Sequence, residues 1–201
     1  MHTLTLRAIV SEDLPIPGTD PWYADPCDPA LSVMTDFRER TSITVSENAT
    51  IDAALEHMRH TGVRCAFAIE DDRRVVIGLI TAYDIMSEKL IRHVRAVAGR
   101  WRDVRVRDIM QNIVDWRVAD IREIERLTVA EVVQVFNDPS TTHVPVVELT
   151  DGGERRLRGL LSAAKVKRLL LSRAQAQLDG IMADRPSSFP RSQGADHVER
   201  R

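Results

Sequence analysis

What this chain has little of narrows its identity first. It carries two cysteines, Cys27 and Cys65, too few for the disulfide framework of a small secreted domain. Cys65 lies in an apolar run and reads as a small buried hydrophobe rather than a reactive thiol. Neither sign of charge dominates. With 28 basic and 30 acidic residues, the formal net charge of −2 gives no general attraction to nucleic acid or to an acidic membrane. Long apolar runs are missing too: stretches such as Val75-Val-Ile-Gly-Leu-Ile80 fall far short of the roughly 20 residues that span a bilayer. The first residues lack the basic start and long apolar stretch of a signal peptide, so a cytoplasmic location and no membrane partner are expected. Also absent are a Gly-x-Ser-x-Gly elbow, a Walker loop, a long Gly-rich dinucleotide fingerprint and a His-Glu-x-x-His motif, and the chain is not expected to be an enzyme. His57 and His60 stand three apart, but no third or fourth ligand is spaced nearby, so no metal is expected.

What the chain does have is a repeat. Ile51-Asp-Ala-Ala-Leu-Glu-His-Met58 aligns with Val129-Ala-Glu-Val-Val-Gln-Val-Phe136 at an offset of 78 residues. The same offset carries Phe67-Ala-Ile-Glu70 onto Pro145-Val-Val-Glu148, and three residues of extra loop then bring Gly78-Leu-Ile-Thr81 onto Gly159-Leu-Leu-Ser162. Upstream, Met34 corresponds to Met110. Two units are too few for a solenoid. Two halves packed face to face about a pseudo-two-fold axis fit better, and 43% hydrophobic residues over 201 positions suffice to bury their core. The sheets of both halves are expected to pack together, burying Phe67, Ile69, Leu79, Val146, Val147 and Leu160 in one continuous core with the helices outside. Ligands often lie in clefts of this kind.

Each half reads as β-α-β-β-α. In the first, a short strand at 43–45 precedes an amphipathic helix opened by Thr50, with Ile51, Ala54, Leu55 and Met58 on one face, and Gly62 ends it. Residues 66–69 and 75–80, joined by a charged turn, form a hairpin, and a second helix runs from 82 to about 94. The second half repeats this order with a helix at 128–136, strands at 144–149 and 157–161, a turn at Asp151-Gly-Gly153, and a helix from 163 to about 178. Residues 113–114 and 116–118 are compatible with strand, and 119–126 with helix. Pro15, Pro17, Pro21, Pro26 and Pro29 make residues 1–30 an extended arm, anchored by Trp22 and Tyr23. The polar residues 179–201 are expected to be a disordered tail.

This order of parts, with Gly78-Leu-Ile-Thr-Ala-Tyr-Asp-Ile85, resembles the cystathionine-β-synthase (CBS) domain family. Val33-Met-Thr35, Asp108-Ile-Met110 and His143-Val-Pro-Val-Val147 support the resemblance, which covers about residues 31–175. It implies an α+β fold in which CBS domain 1 (31–100) and CBS domain 2 (101–178) pair as a Bateman module, in a stand-alone bacterial-type protein that dimerises with itself. It also implies a regulatory role: an adenosine-containing ligand (AMP, ADP, ATP or S-adenosylmethionine) bound between the halves as regulator rather than required cofactor, with the signal passed to a protein partner not yet identified. The alternative is a ligand-free module for dimerisation or interaction.

By the resemblance, Asp84 holds the ribose and Thr81 approaches the phosphates. The chemistry of the turn agrees: a strand running directly into a helix leaves N–H groups and the positive end of a dipole at one spot, while Asp84 offers two acceptors to a ribose diol. Thr81-x-x-Asp84 is equally a capping box that closes a helix start with no ligand. Thr41 and Ile43 match positions lining the base pocket, Val63 and Arg64 positions flanking base or phosphate, and Leu79 follows the Gly against the ligand; Ile43, Val63 and Leu79 are equally plain core residues. Thr142 and His143 hold the corresponding places in the second half, His143 being either a cleft donor or a partly buried polar residue. There Ser162 is retained, but Lys165 replaces the acid and cannot accept from a ribose. Lys165 either reaches into the cleft to neutralise phosphate or extends into water, and one nucleoside site per chain is expected. Basic residues gather at Arg92, Arg95, Arg100, Arg102, Arg105 and Arg107, and again from Arg155 to Arg168. Acids dilute the first run, and both read as solvated faces rather than nucleic-acid contacts.

Overall fold

The structure, a computed structural model, describes residues 21–73, 75–97 and 99–178. The expected tail and most of the expected arm lie outside the described residues. Two four-stranded sheets form the framework. The first is built from β2 (Thr44–Ser46), β3 (Cys65–Ile69), β4 (Val76–Thr81) and β5 (Gln111–Asn112), in that spatial order. The second has the order β1 (Thr35–Asp36), β8 (Arg155–Ser162), β7 (His143–Leu149) and β6 (Ala119–Asp120). β2 runs parallel to β3 and β6 parallel to β7, while the hairpins β3–β4 and β7–β8 are antiparallel. Both hairpins shift register at equivalent places, between Ala68 and Ile69 and between Val146 and Val147, so the repeat extends to the irregularities of the backbone.

The helices follow the sequence pattern with one break. α1 (Ile51–His60) is capped by Thr50, whose side chain accepts from the Ala53 N–H, and the chain leaves it through Gly62 at φ 70°, a left-handed conformation that glycine adopts without steric cost. α6 (Val129–Val135) opens with a Thr128–Glu131 capping box. α7 (Ala163–Leu178) is continuous. The helix expected from 82 to 94 is instead two, α2 (Ala82–Met86) and α3 (Glu88–Ala96), separated by Ser87 in an extended conformation. Between the halves lies the short α4 (Val106–Ile109). Residues 113–115 form a 3-10 turn rather than strand; β6 is limited to 119–120, and the helix after it, α5, to Ile121–Ile124.

Each half lends its leading segment to the other. β1 pairs with β8, Thr35 opposite Leu160 and Asp36 opposite Gly159, while β5 pairs with β4, Leu79 opposite Gln111 and Gly78 opposite Asn112. Ala30, Val33 and Met34 accordingly sit in the second core with Val129, Val144, Val146, Leu161 and Leu169. Val104, Val106 and Ile109 sit in the first with Ile51, Met58, Ala66, Ile80 and Ile85. Packing therefore crosses the expected boundary between residues 100 and 101 in both directions. The expectation of one continuous core needs correction as well. Strand alternation sends Ala66, Ala68 and Ile80 toward the helices of their own half, and of the six expected core residues Phe67, Leu79 and Leu160 meet between the sheets. Val146 belongs to the second half's own core, and Ile69 and Val147 are half-buried. Phe37 and Trp116 close the central cluster against Phe67, at ring separations of 5.5 and 6.0 Å.

The arm's last residues are not extended throughout, since 26–27 form a turn, and a 3-10 turn at Ala30–Val33 follows. Their anchor is the buried Ala24, whose N–H donates to the Leu169 carbonyl at 3.2 Å, rather than Trp22, which is exposed. Among the described residues no helix is long and apolar enough to cross a membrane.

Candidate functional site

The strand-to-helix turn after β4 is stitched from within. The Ala82 N–H donates to the Arg64 carbonyl at 2.9 Å, which ties the start of α2 to the start of β3. The Asp84 N–H donates to Thr81 Oγ1 at 3.0 Å, and Asp84 Oδ2 accepts from the Thr81 N–H at 2.9 Å and from its hydroxyl at 2.6 Å. The capping box therefore forms in full. The expected anion-attracting spot is correspondingly weak, because the N–H groups of Ala82 and Asp84 are bonded within the protein and α2, five residues long, carries little dipole.

The positive charge at this turn comes instead from a residue not singled out in the sequence. Lys89 Nζ lies 3.3 Å from Asp84 Oδ1. In a continuous helix, positions five apart differ by about 140° around the axis and do not meet. The break at Ser87 resets that geometry: Ser87 Oγ donates to the Asp84 carbonyl at 3.2 Å and accepts from the Lys89 N–H at 3.3 Å, so Ser87 closes α2 and opens α3. A serine followed by an acid inside a helical stretch is the sequence signal that could have revealed this. Tyr83, Asp84, Met86, Ser87, Glu88, Lys89 and Arg92 line a groove of about 550 Å³, inside the roughly 300–1,000 Å³ of small-molecule sites.

The second half repeats the frame but not the chemistry. The Ala163 N–H donates to the Thr142 carbonyl at 3.0 Å, matching Ala82 and Arg64, and His143 pairs with Ser162 across β7 and β8. Lys165 does not simply extend into water. Its ammonium donates to the Met34 carbonyl at 3.2 Å and to Thr35 Oγ1 at 3.4 Å, fastening the β1 segment to α7. A carbonyl and a hydroxyl suit a cation that a helix start disfavours.

Across the boundary between the halves, the charge of Asp84 is felt at His143. Burial pushes the His143 imidazole below its ordinary pKa, and the Asp84 charge opposes that shift. His143 Nδ1 lies 3.0 Å from Thr142 Oγ1. The other sequence-selected residues scatter by burial. Leu79 is buried in the cluster between the sheets, Ile43 and Val63 edge the first core, and Thr41, Arg64 and Thr142 are exposed. Of the selected set, Asp84 alone lines the groove beside α3. Cys65, opposite Thr81 on the neighbouring strand, has its thiol pushed up to about 11 by burial and is unsuited to thiolate chemistry at neutral pH. Among the described residues no three His, Cys, Asp or Glu are grouped so as to hold a metal ion.

Residues 32–90 match the family model described as CBS domain. Sequence comparison with curated proteins returns no match. Similar solved structures include a CBS-domain containing protein from Agrobacterium tumefaciens, 18% identical, with 69% of this chain and 90% of that one covered at a TM-score of 0.48. The CBS-pair protein CBSX2 from Arabidopsis thaliana is 20% identical, with 76% and 97% covered at 0.44. A structure of CBSX2 in complex with AMP is 18% identical, with 76% and 98% covered at 0.46.

Proposed function

We propose, from the premise that residues 32–90 are a CBS domain, that this chain is a regulatory, non-catalytic module. Residues 31–100 and 101–178 act as its paired units, and it senses an adenosine-containing ligand bound between them. One observation carries the reading: the strand-to-helix turn of the first half fixes the Asp84 carboxylate through Thr81 at the edge of a groove of about 550 Å³, with its charge also felt by His143 of the second half. A ligand whose ribose diol donates to Asp84, with Thr81 toward its phosphate, then touches both halves. Thr41, Ile43, Val63, Arg64 and Leu79 would border it from the first half, and Thr142 and His143 from the second. Its binding energy favours whichever arrangement of the halves brings these groups together, and that arrangement is what a protein partner reads. Ser162 and Lys165 do not complete a second such site, since the lysine is committed to Met34 and Thr35.

A homodimer belongs to the same reading. Tyr83, Met86 and Leu171 are exposed apolar side chains on α2 and α7, and an apolar groove of about 350 Å³ between α6 and α7 is lined by Val133, Phe136, Val166 and Leu170 among others. The competing reading, a module that dimerises but binds no small molecule, draws on the completeness of the Thr81–Asp84 capping box. Thermal shift against adenosine, AMP, ADP, ATP and S-adenosylmethionine separates the two. A ligand at 100 times its Kd stabilises the chain by about 2.7 kcal/mol, and a melting temperature unmoved by the whole panel leaves the structural module.

A further inference from the structure

We propose that Lys89 makes the Asp84 site select for the charge of its ligand, favouring anionic adenosine phosphates over neutral adenosine and over the cationic sulfonium of S-adenosylmethionine. This rests on the ligand-sensing reading above and narrows its ligand class. An ionised carboxylate has about four acceptor positions. At Asp84, Oδ2 already accepts from both the N–H and the hydroxyl of Thr81, and Oδ1 accepts from the Lys89 ammonium. A ribose diol brings two donors to a carboxylate with one acceptor position left. Oδ2 is held on the helix start by the Thr81 N–H, one of the two capping bonds of α2, whereas Lys89 sits on Oδ1 and, with 39% of its side chain exposed, can swing away on four rotatable bonds.

What becomes of the displaced ammonium decides the selectivity. It stays in a groove whose other charged members are Asp84, Glu88 and Arg92. A phosphate arriving with the ribose supplies a new counter-ion, so Lys89 exchanges one partner for another. Neutral adenosine takes the Asp84 lone pairs and offers nothing in return. A sulfonium adds repulsion. The position of Lys89 fits this exchange: it stands in the first turn of α3, where a cation opposes the helix dipole and gains most from an anion nearby.

Calorimetric titration of the full chain, wild type and Lys89→Met, with AMP, adenosine and S-adenosylmethionine tests this. Wild type should bind AMP at least about 10-fold more tightly than adenosine, the scale of a charge-assisted contact. Lys89→Met should weaken AMP by about 5- to 10-fold, leave adenosine equal or tighter, and tighten S-adenosylmethionine, while Lys89→Arg restores the preference. If both AMP and adenosine bind Lys89→Met with the wild-type ratio, Lys89 does not read charge and the proposal fails, the ligand-sensing function standing. If wild type binds none of the three, both fail together.

Discussion

Met110 lies so close over Gly78 that a β-carbon on the glycine would stand 2.7 Å from the methionine sulfur. The same relation recurs at Gly159, where a β-carbon would stand 2.7 Å from the sulfur of Met34. Each methionine comes from the segment that leads into one half, and each glycine from the hairpin of the other. The repeated Gly-hydrophobic-hydrophobic-Thr/Ser turn thus keeps its glycine for close approach: the crossing segment must lie flat on the strand to pair as β5 or β1.

Gly78→Ala and Gly159→Ala should therefore each destabilise the chain by about 1–3 kcal/mol, the usual cost of overpacking. Urea denaturation reads this directly. Because backbone carbonyls, Gln111 O and Thr35 O, stand equally near, trimming Met110 or Met34 to Ala in the same chain should recover only part of the loss. A Gly78→Ala chain as stable as wild type would mean that the crossing strand is not held there.

The parts of the fold legible in sequence were those governed by periodicity and by the repeat. The helix faces of 51–58 and 129–136, the two hairpins and the capping threonines all follow from local pattern. Strand exchange was not legible, because β1 and β5 are two residues long and carry no alternation to read. Ser87 was hidden for a different reason: one extended residue inside an apolar-periodic stretch leaves the pattern intact while redirecting the chain, and with it went the position of Lys89. Lys165 shows in the sequence only as a departure from a family position, and its bonds to Met34 and Thr35 depend on a segment 130 residues away.

His143 gives a pH dependence with a definite sign. Its folded pKa is depressed from 6.5, first by burial, with Asp84 opposing. The unfolded chain then binds the proton more readily, so the contribution to stability is complete above the unfolded value and is lost as pH falls through 6.5 toward the folded one. Melting curves between about pH 7.5 and 5.5, above the range where carboxylates titrate, should show stability falling toward acid in wild type and a shallower fall in His143→Gln. Equal slopes would remove the burial argument.

Lys165→Met should loosen the β1 segment and cost about 1 kcal/mol, since the lost bonds are partly exposed. AMP affinity should stay at the wild-type value. A selective loss of AMP over adenosine affinity in this variant would put Lys165 back in the phosphate site.

In light scattering at micromolar concentration the chain should behave as a dimer of about 45 kDa, twice its 22.7 kDa mass. Tyr83→Lys with Met86→Lys, which places charge on an exposed apolar face of α2, should shift it toward monomer. A monomeric wild type would contradict the dimer.

Whether Asp84 holds a ribose as well as a helix start is read by calorimetric titration of Asp84→Asn with adenosine and AMP. Asn keeps an acceptor for the Thr81 N–H, so the melting temperature should fall little. It loses the charge-assisted contacts to the diol, and affinity for both ligands should fall by about 10- to 150-fold, equivalent to roughly 1.5–3 kcal/mol. Unchanged affinity together with a melting temperature several degrees lower would make Asp84 a capping residue alone, with no ribose held there.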